Sequence, residues 1–131
     1  MRRTVETEEA PKPVGPYAQA VLAGDFVFVA GQIGLDPHTG RLVGGGTREQ
    51  LVQVLENVAA VLRGTGHTLD DVVKTTVYLV EIAEMPAVNE IYARYFPAPH
   101  PARATVQVAG LPAGARVEIE AIALRGHPEP A

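Results

Sequence analysis

Hydrophobic positions along this chain follow two periods, and the changes between them mark the elements. DFVFVAGQI (25–33) is a short β-rich run preceded by YAQAVLAG (17–24), and Gly24-Asp25 stands where a hairpin turn would, so the two predict a hairpin. GLDPHTGRLVGGGT is dense in Gly, Pro, Asp and Thr and reads as loop. From Thr47 the period becomes helical: Leu51, Val54, Leu55, Val58, Val61 and Leu62 form one broad apolar stripe. Thr47 with Gln50 three residues on fits a capping box, and Gly64 and Gly66 end the helix. A single stripe means that this helix covers a sheet or another helix.

DDVVKTTVYLV (70–80) is rich in β-branched residues and predicts a strand. EMPAVNEIYARYF (84–96) carries Val88, Ile91, Tyr92, Tyr95 and Phe96 on one helical face, has Pro86 in its first turn and stops before Pro97. Pro97, Pro99 and Pro101 stiffen the next connection. ARATVQVAGL (102–111) and ARVEIEAIALR (115–125) are strands joined by the turn-like LPAG. The order β-β-α-β-α-β-β predicts an α+β fold, a single domain over residues 1–131 with two helices packed on one face of a mixed sheet.

Composition agrees with a globular chain: 47% of residues are hydrophobic and 20% charged. A chain of this size buries roughly two-thirds of its unfolded surface, so its core needs no staple. Cysteine is absent, which removes thiol catalysis, disulfides and cysteine-ligated zinc together. MRRTVETEEAPKP lacks the apolar run of a signal peptide and no stretch approaches the ~20 apolar residues of a membrane span, so no membrane is expected and the expected location is cytoplasmic. Eleven Lys and Arg against fifteen Asp and Glu give a net charge of −4, the basic residues are scattered, and 5% of residues are aromatic. This balance argues against nucleic acid as a primary partner.

Few side chains suggest chemistry on spacing alone. His38, His67, His100 and His127 fall in predicted loops or termini without metal-site spacing, and read as surface histidines. GGGT before a helix offers N–H groups to an anion but lacks the lysine and spacing of a phosphate loop, so it reads as a mobile loop. Asp70-Asp71 ends a turn. Arg103 follows the proline-stiffened stretch and opens a strand; its fork suits a carboxylate ligand, and an edge-strand ion pair is the plainer reading. In VEIEAIAL (117–124), Glu118 and Glu120 share a face with Ile122 and Leu124. Partial desolvation would fit Glu120 for proton exchange near neutral pH, while an outward-facing or interface glutamate explains it equally. Glu118 reads as an ordinary strand glutamate toward solvent or a neighbouring subunit.

Seven ordered blocks are more informative than any of these parts: APKPVGPYAQAV (10–21), VFVAGQIGLDPHTGRLV (27–43), LENVAAVL (55–62), VVKTTVYL (72–79), VNEIYARYF (88–96), PARATVQVAGLP (101–112) and VEIEAIAL (117–124). Together they resemble the RidA/YjgF family of reactive intermediate deaminases over nearly the whole chain. The resemblance implies a chorismate-mutase-like fold and a homotrimer with clefts between subunits. It also implies hydrolysis of 2-imino acids and their enamine tautomers, such as 2-aminoacrylate, to 2-oxo acids and ammonia, with no cofactor and no metal. By the same resemblance Arg103 in PAR grips the substrate carboxylate and Glu120 positions or activates water. Tyr17 in GPY lines the cleft, Gly31 in AGQI brings backbone to the substrate nitrogen, and Asn89 of VNEIY supports the site. Ala104 and Thr105 stand where many members carry serine and then often cysteine, and Ala30 where serine is frequent. Ala104 thereby adjoins the carboxylate site without a hydroxyl, which bears on substrate range or rate. A regulatory member that binds small carboxylates without deaminating them, and a ribonuclease or translation inhibitor, are the alternative functions that the resemblance leaves open.

Overall fold

The computed structural model describes residues 2–124, and His127 lies outside the described residues. Its strands are β1 (Arg2–Val5), β2 (Ala20–Ala23), β3 (Phe26–Gln32), β4 (Val72–Leu79), β5 (Ala102–Gln107) and β6 (Val117–Leu124); its helices are α1 (Thr47–Gly64) and α2 (Met85–Tyr95). The strands form one six-stranded mixed sheet in the order β1-β2-β3-β6-β4-β5, so the predicted α+β architecture holds. The β2–β3 hairpin is present, with Ala23 opposite Phe26 across Gly24-Asp25 and Gly24 at φ +59°, a backbone state that glycine adopts without strain.

Three local expectations are corrected. The extra strand β1 pairs antiparallel with β2, although RRTV carries no alternation that announces a strand. β5 and β6 do not pair across LPAG: β4 lies between them, antiparallel to β6 and parallel to β5, with α2 as the crossover. A parallel neighbour requires such a long connection, which the helix supplies. The cap of α1 is shifted by one residue from Thr47. Gly46 is the N-cap, its N–H donates to the Glu49 carboxylate at 2.7 Å, and Gln50 instead accepts from the Arg116 N–H at 2.8 Å. Glu49 therefore occupies the helix N-terminus where GGGT suggests an anion.

Both helices cover one face of the sheet. Leu51, Leu55, Val58 and Leu62 of α1 and Val88, Ile91 and Tyr92 of α2 bury against Val27, Val77, Leu79, Val117 and Ile119. His67 also contradicts its surface reading: it is buried just after α1, with Nδ1 2.9 Å from the Thr65 carbonyl. Among the described residues no helix covers the other face of the sheet. It presents Phe26, Phe28 and Val106, each more than 40% exposed, in line with Glu118, Glu120, Ile122 and Leu124.

Candidate active site

Two half-sites emerge from this frame, on opposite faces of the sheet. The first is centred on a β-bulge. Val29 stands opposite Ala121 and Gln32 opposite Ile119, so β3 carries one residue more than β6 over this interval, at Ala30-Gly31. A bulge bends the strand and re-aims the side chains beyond it. Here it brings the Gly31 backbone against the side chain of Glu118: a methyl group at Gly31 would overlap the carboxylate, within 2.9 Å of its Cδ. Only glycine allows this approach without displacing the acid.

Glu118 and Gly31 share a recess of about 320 Å³ with Pro11, Val14, Tyr17 and Leu35. The Tyr17 hydroxyl accepts from the Val14 N–H at 3.3 Å, which holds the ring at the rim. Burial raises the Glu118 carboxyl above the ordinary carboxylate value, and the nearby Glu120 charge raises it further. Such a group holds its proton to higher pH than a free carboxyl does and can exchange it with a bound molecule.

Glu120 lies elsewhere. It lines a separate hollow with Phe28, Lys74, Thr76 and Ile122, near the centre of the open face. The carboxylate that meets Tyr17 and Gly31 is thus Glu118, the acid whose sequence context suggests an ordinary strand glutamate. Glu120 also adds to the burial that raises the Tyr78 phenol above its ordinary value, so this part of the open face is rich in proton-holding groups.

The second half-site is at the β5 edge. Arg103 is in register with Thr75, on the helix-covered face. Its guanidinium lies 4.8 Å from the centre of the Tyr92 ring and donates from Nη2 to Asn89 Oδ1 at 2.8 Å. Tyr92 is itself fixed by a 2.6 Å hydrogen bond between its hydroxyl and Thr75 Oγ1. Arg103 therefore stands on a stacked aromatic platform with one edge held, and no Asp or Glu lies within ion-pair distance of it among the described residues. The edge-strand ion pair expected as the plainer reading is not formed there. His100 and Pro101 complete a recess of about 310 Å³ around Arg103, Asn89 and Tyr92. The His100 Nδ1 lies 2.8 Å from the Phe96 carbonyl; because a carbonyl only accepts, Nδ1 carries the hydrogen and Nε2 is left free. Ala104, the next residue on β5, pairs with Thr76 and so faces the other side of the sheet from Arg103.

The structure therefore brings Tyr17 and Gly31 together with Glu118, and Asn89 together with Arg103, and it separates the two groups. Two strand spacings of ~4.8 Å lie between the backbones of β5 and β6, and Arg103 and Glu118 leave the sheet on opposite faces. Among the described residues no three His, Asp or Glu side chains converge to hold a metal ion, and no helix is long and apolar enough to cross a membrane. Thr75, Tyr92 and Glu118 lack a sequence signal. The nearest hint is Tyr92, three residues after Asn89 on the same helix face.

Comparison with known proteins matches this arrangement to a family. The family described as Endoribonuclease L-PSP matches residues 7–125. The chain is 48% identical over 126 residues to the 2-iminobutanoate/2-iminopropanoate deaminase of Homo sapiens, covering 96% of this chain and 92% of that protein. It is 50% identical over 125 residues to a RutC family protein of Pyrococcus horikoshii, covering 95% and 99% respectively. The solved structure of RidA from the Antarctic bacterium Psychrobacter sp. superposes with a TM-score of 0.90 at 43% identity, over 93% of this chain and 98% of that one.

Proposed function

From the premise that this chain belongs to the Endoribonuclease L-PSP family, which includes the RidA proteins, we propose that it is a deaminase hydrolysing 2-imino acids to 2-oxo acids and ammonia. One observation carries the reading: a half-buried carboxyl with a raised pKa, Glu118, faces the bare backbone of Gly31 in an otherwise largely apolar recess. The substrate carboxylate pairs with the Arg103 fork, which is fixed by Asn89 and Tyr92. Its C=N carbon then lies beside Glu118 and Gly31. Glu118, in its ionised form, takes a proton from the attacking water as the C–O bond forms and passes it to the nitrogen of the carbinolamine. It then takes up the hydroxyl proton as the C–N bond breaks, C=O forms and ammonia leaves, and hands that proton to the departing ammonia. Protonated imines are intrinsically electrophilic, so orientation and one proton carrier are sufficient chemistry. The water-handling role that the resemblance gives to Glu120 passes to Glu118 in this reading. Tyr17 closes the rim, and Ala104, across the sheet from Arg103, has no part in carboxylate binding within its own protomer.

Such a site needs two copies of the chain, because carboxylate and imine carbon are adjacent atoms and the two half-sites of one protomer face away from each other. The uncovered apolar face with Phe26, Phe28 and Val106 offers the surface for that association. We take the assembly to be the homotrimer implied by the family resemblance, and its place to be the cytoplasm. No cofactor enters the scheme.

Arg103→Ala is expected to abolish ammonia release from 2-aminoacrylate generated enzymatically, and an unchanged rate would sink the reading. Glu118→Gln and Glu120→Gln, compared in the same assay, identify the acid. The proposal requires the first to lose activity and the second to retain most of it. The family description also names an RNA-cleaving activity, and the net charge of −4 argues against it.

A further inference from the structure

Residues 6–18, which provide Pro11, Lys12, Val14 and Tyr17 to the Glu118 recess, contain neither helix nor strand, so something other than a ladder must hold this wall. We propose that Gln19 is the positioning residue that sets the spacing between the Tyr17 wall and the Gly31 wall of the recess. The inference rests on the deaminase reading for its catalytic consequence, and on geometry alone for the clamp.

Gln19 is 2% exposed, and its side-chain amide is spent entirely on main chain. Oε1 accepts from the Thr7 N–H at 2.6 Å, and Nε2 donates to the carbonyls of Pro11 at 2.9 Å, Thr7 at 3.0 Å and Ala10 at 3.3 Å. The main-chain carbonyl of the same residue accepts the Ala30 N–H at 2.9 Å, inside the bulge that presents Gly31. One residue thus grips the irregular wall with its side chain and the bulged strand with its backbone. Both side-chain N–H groups are engaged by main-chain carbonyls and the residue is buried at the edge of the recess, so Gln19 is placed to act through Tyr17 and Gly31 and not on the reacting atoms.

The amide is required by this geometry. Three carbonyls converge on Nε2, where a carboxylate would offer only acceptors, and an aliphatic side chain would leave four main-chain contacts unmade, those to Ala10 and Pro11 buried and those to Thr7 partly so. Gln19→Glu keeps the shape and reverses the match. It frees the 7–17 wall while leaving the sheet and both helices in place.

The test joins a substrate-free measurement to a kinetic one. Hydrogen exchange of the purified protein should show faster exchange of amides in residues 7–18 of Gln19→Glu, with α1 and β6 unchanged. Ammonia release should show kcat/KM reduced on the order of tenfold to a hundredfold, the scale of a misplacement of about 1 Å. The loss should be much smaller when the change is made in a Tyr17→Phe background, since coupled positions are not additive. If Gln19→Glu does not fold, Thr7→Pro removes the N–H donor to Oε1, along with the Thr7 hydroxyl that accepts the Glu9 N–H, and carries the same measurements with Thr7→Ala as the control for the hydroxyl. Unchanged exchange overturns the clamp whether or not the protein is a deaminase. A loosened wall with unchanged kcat/KM, or an equal cost in the Tyr17→Phe background, overturns the positioning role. A wild-type protein that releases no ammonia sinks the deaminase reading instead, and the exchange measurement still decides the clamp.

Discussion

Two inactive variants should restore each other. Within one protomer Arg103 and Glu118 face opposite sides of the sheet, two strand spacings apart across it and three residues apart along it, which puts roughly 14 Å between their backbones. A 2-imino acid needs a guanidinium at its carboxylate and a proton carrier within ~3 Å of the adjacent carbon or nitrogen. One chain cannot supply both. Arg103→Ala and Glu118→Gln should therefore each lose on the order of 10²-fold or more in ammonia release, yet spoil different halves of a site shared between neighbours. When equal amounts are unfolded together and refolded, a given interface receives an intact Arg103 half with probability one-half and an intact Glu118 half with probability one-half. About a quarter of the sites are then wild type, whatever the number of subunits in a closed ring. Native mass spectrometry of two differently tagged variants verifies mixing, and the coupled ammonia assay should read about 25% of the wild-type rate. Mixed oligomers no more active than the sum of their parents would refute the shared site and return both half-sites to separate roles.

Glu118→Gln should raise the melting temperature at neutral pH while abolishing activity. The folded-state pKa of Glu118 is raised by burial and then by Glu120, so its contribution is fully present below the unfolded value and lost as pH rises through the folded one; the advantage of glutamine should therefore vanish in acid. Gly31→Ala should cost ~1–3 kcal/mol in urea unfolding and depress kcat/KM together, because its methyl group must displace the Glu118 carboxylate; full stability and full activity would contradict the close approach. Glu84→Gln should cost about 1 kcal/mol at pH 7, a modest figure because Arg116 and Glu84 are 40% and 30% exposed. Burial pushes the Glu84 carboxyl up, but the Thr47 hydroxyl and Arg116 outweigh it, so the shift is downward: its stabilisation is present above the unfolded value, is lost as pH falls through the folded one, and the two proteins should converge in acid unfolding curves.

The elements that sequence makes legible are those whose signal is local. The stripe of α1, the Pro86 start of α2 and the Gly24-Asp25 turn are each written in a few consecutive residues, and each forms where expected. The misplacements concern partners. LPAG looks like a hairpin turn, but β5 and β6 are separated by β4, because α2 returns the chain to the far side of β4 and leaves its other edge to β6. RRTV forms β1 only because β2 has a free edge to pair with. His67 is buried by what packs over the end of α1, which loop composition does not reveal.

The site obeys the same division. Arg103 is conspicuous in the sequence because proline stiffens the approach to it, but what holds it, Asn89 and Tyr92 from α2 and Thr75 from β4, comes from elements remote in sequence. The two glutamates of VEIEAIAL show the limit most clearly. Strand alternation puts both on one face, and nothing in those eight residues ranks them. The ranking comes from β3, where one extra residue between Val29 and Gln32 swings the bare Gly31 backbone to Glu118, while the Glu120 side chain is left beside Lys74 and Thr76. A bulge is a mismatch between two strands, so it exists only once they are paired, and a carboxylate's chemistry here is decided by a glycine nearly ninety residues away. The same bulge receives the Gln19 carbonyl through Ala30, which makes Glu118, Gly31, Gln19 and Tyr17 one mechanical unit. If that unit is the reacting half of the site, substitutions at any of its four members should alter the handling of the proton, measured as kcat and its pH dependence. Substitutions around Arg103 should raise KM and, through lost orientation of the C=N carbon, lower kcat, but should leave the pH dependence of kcat unchanged.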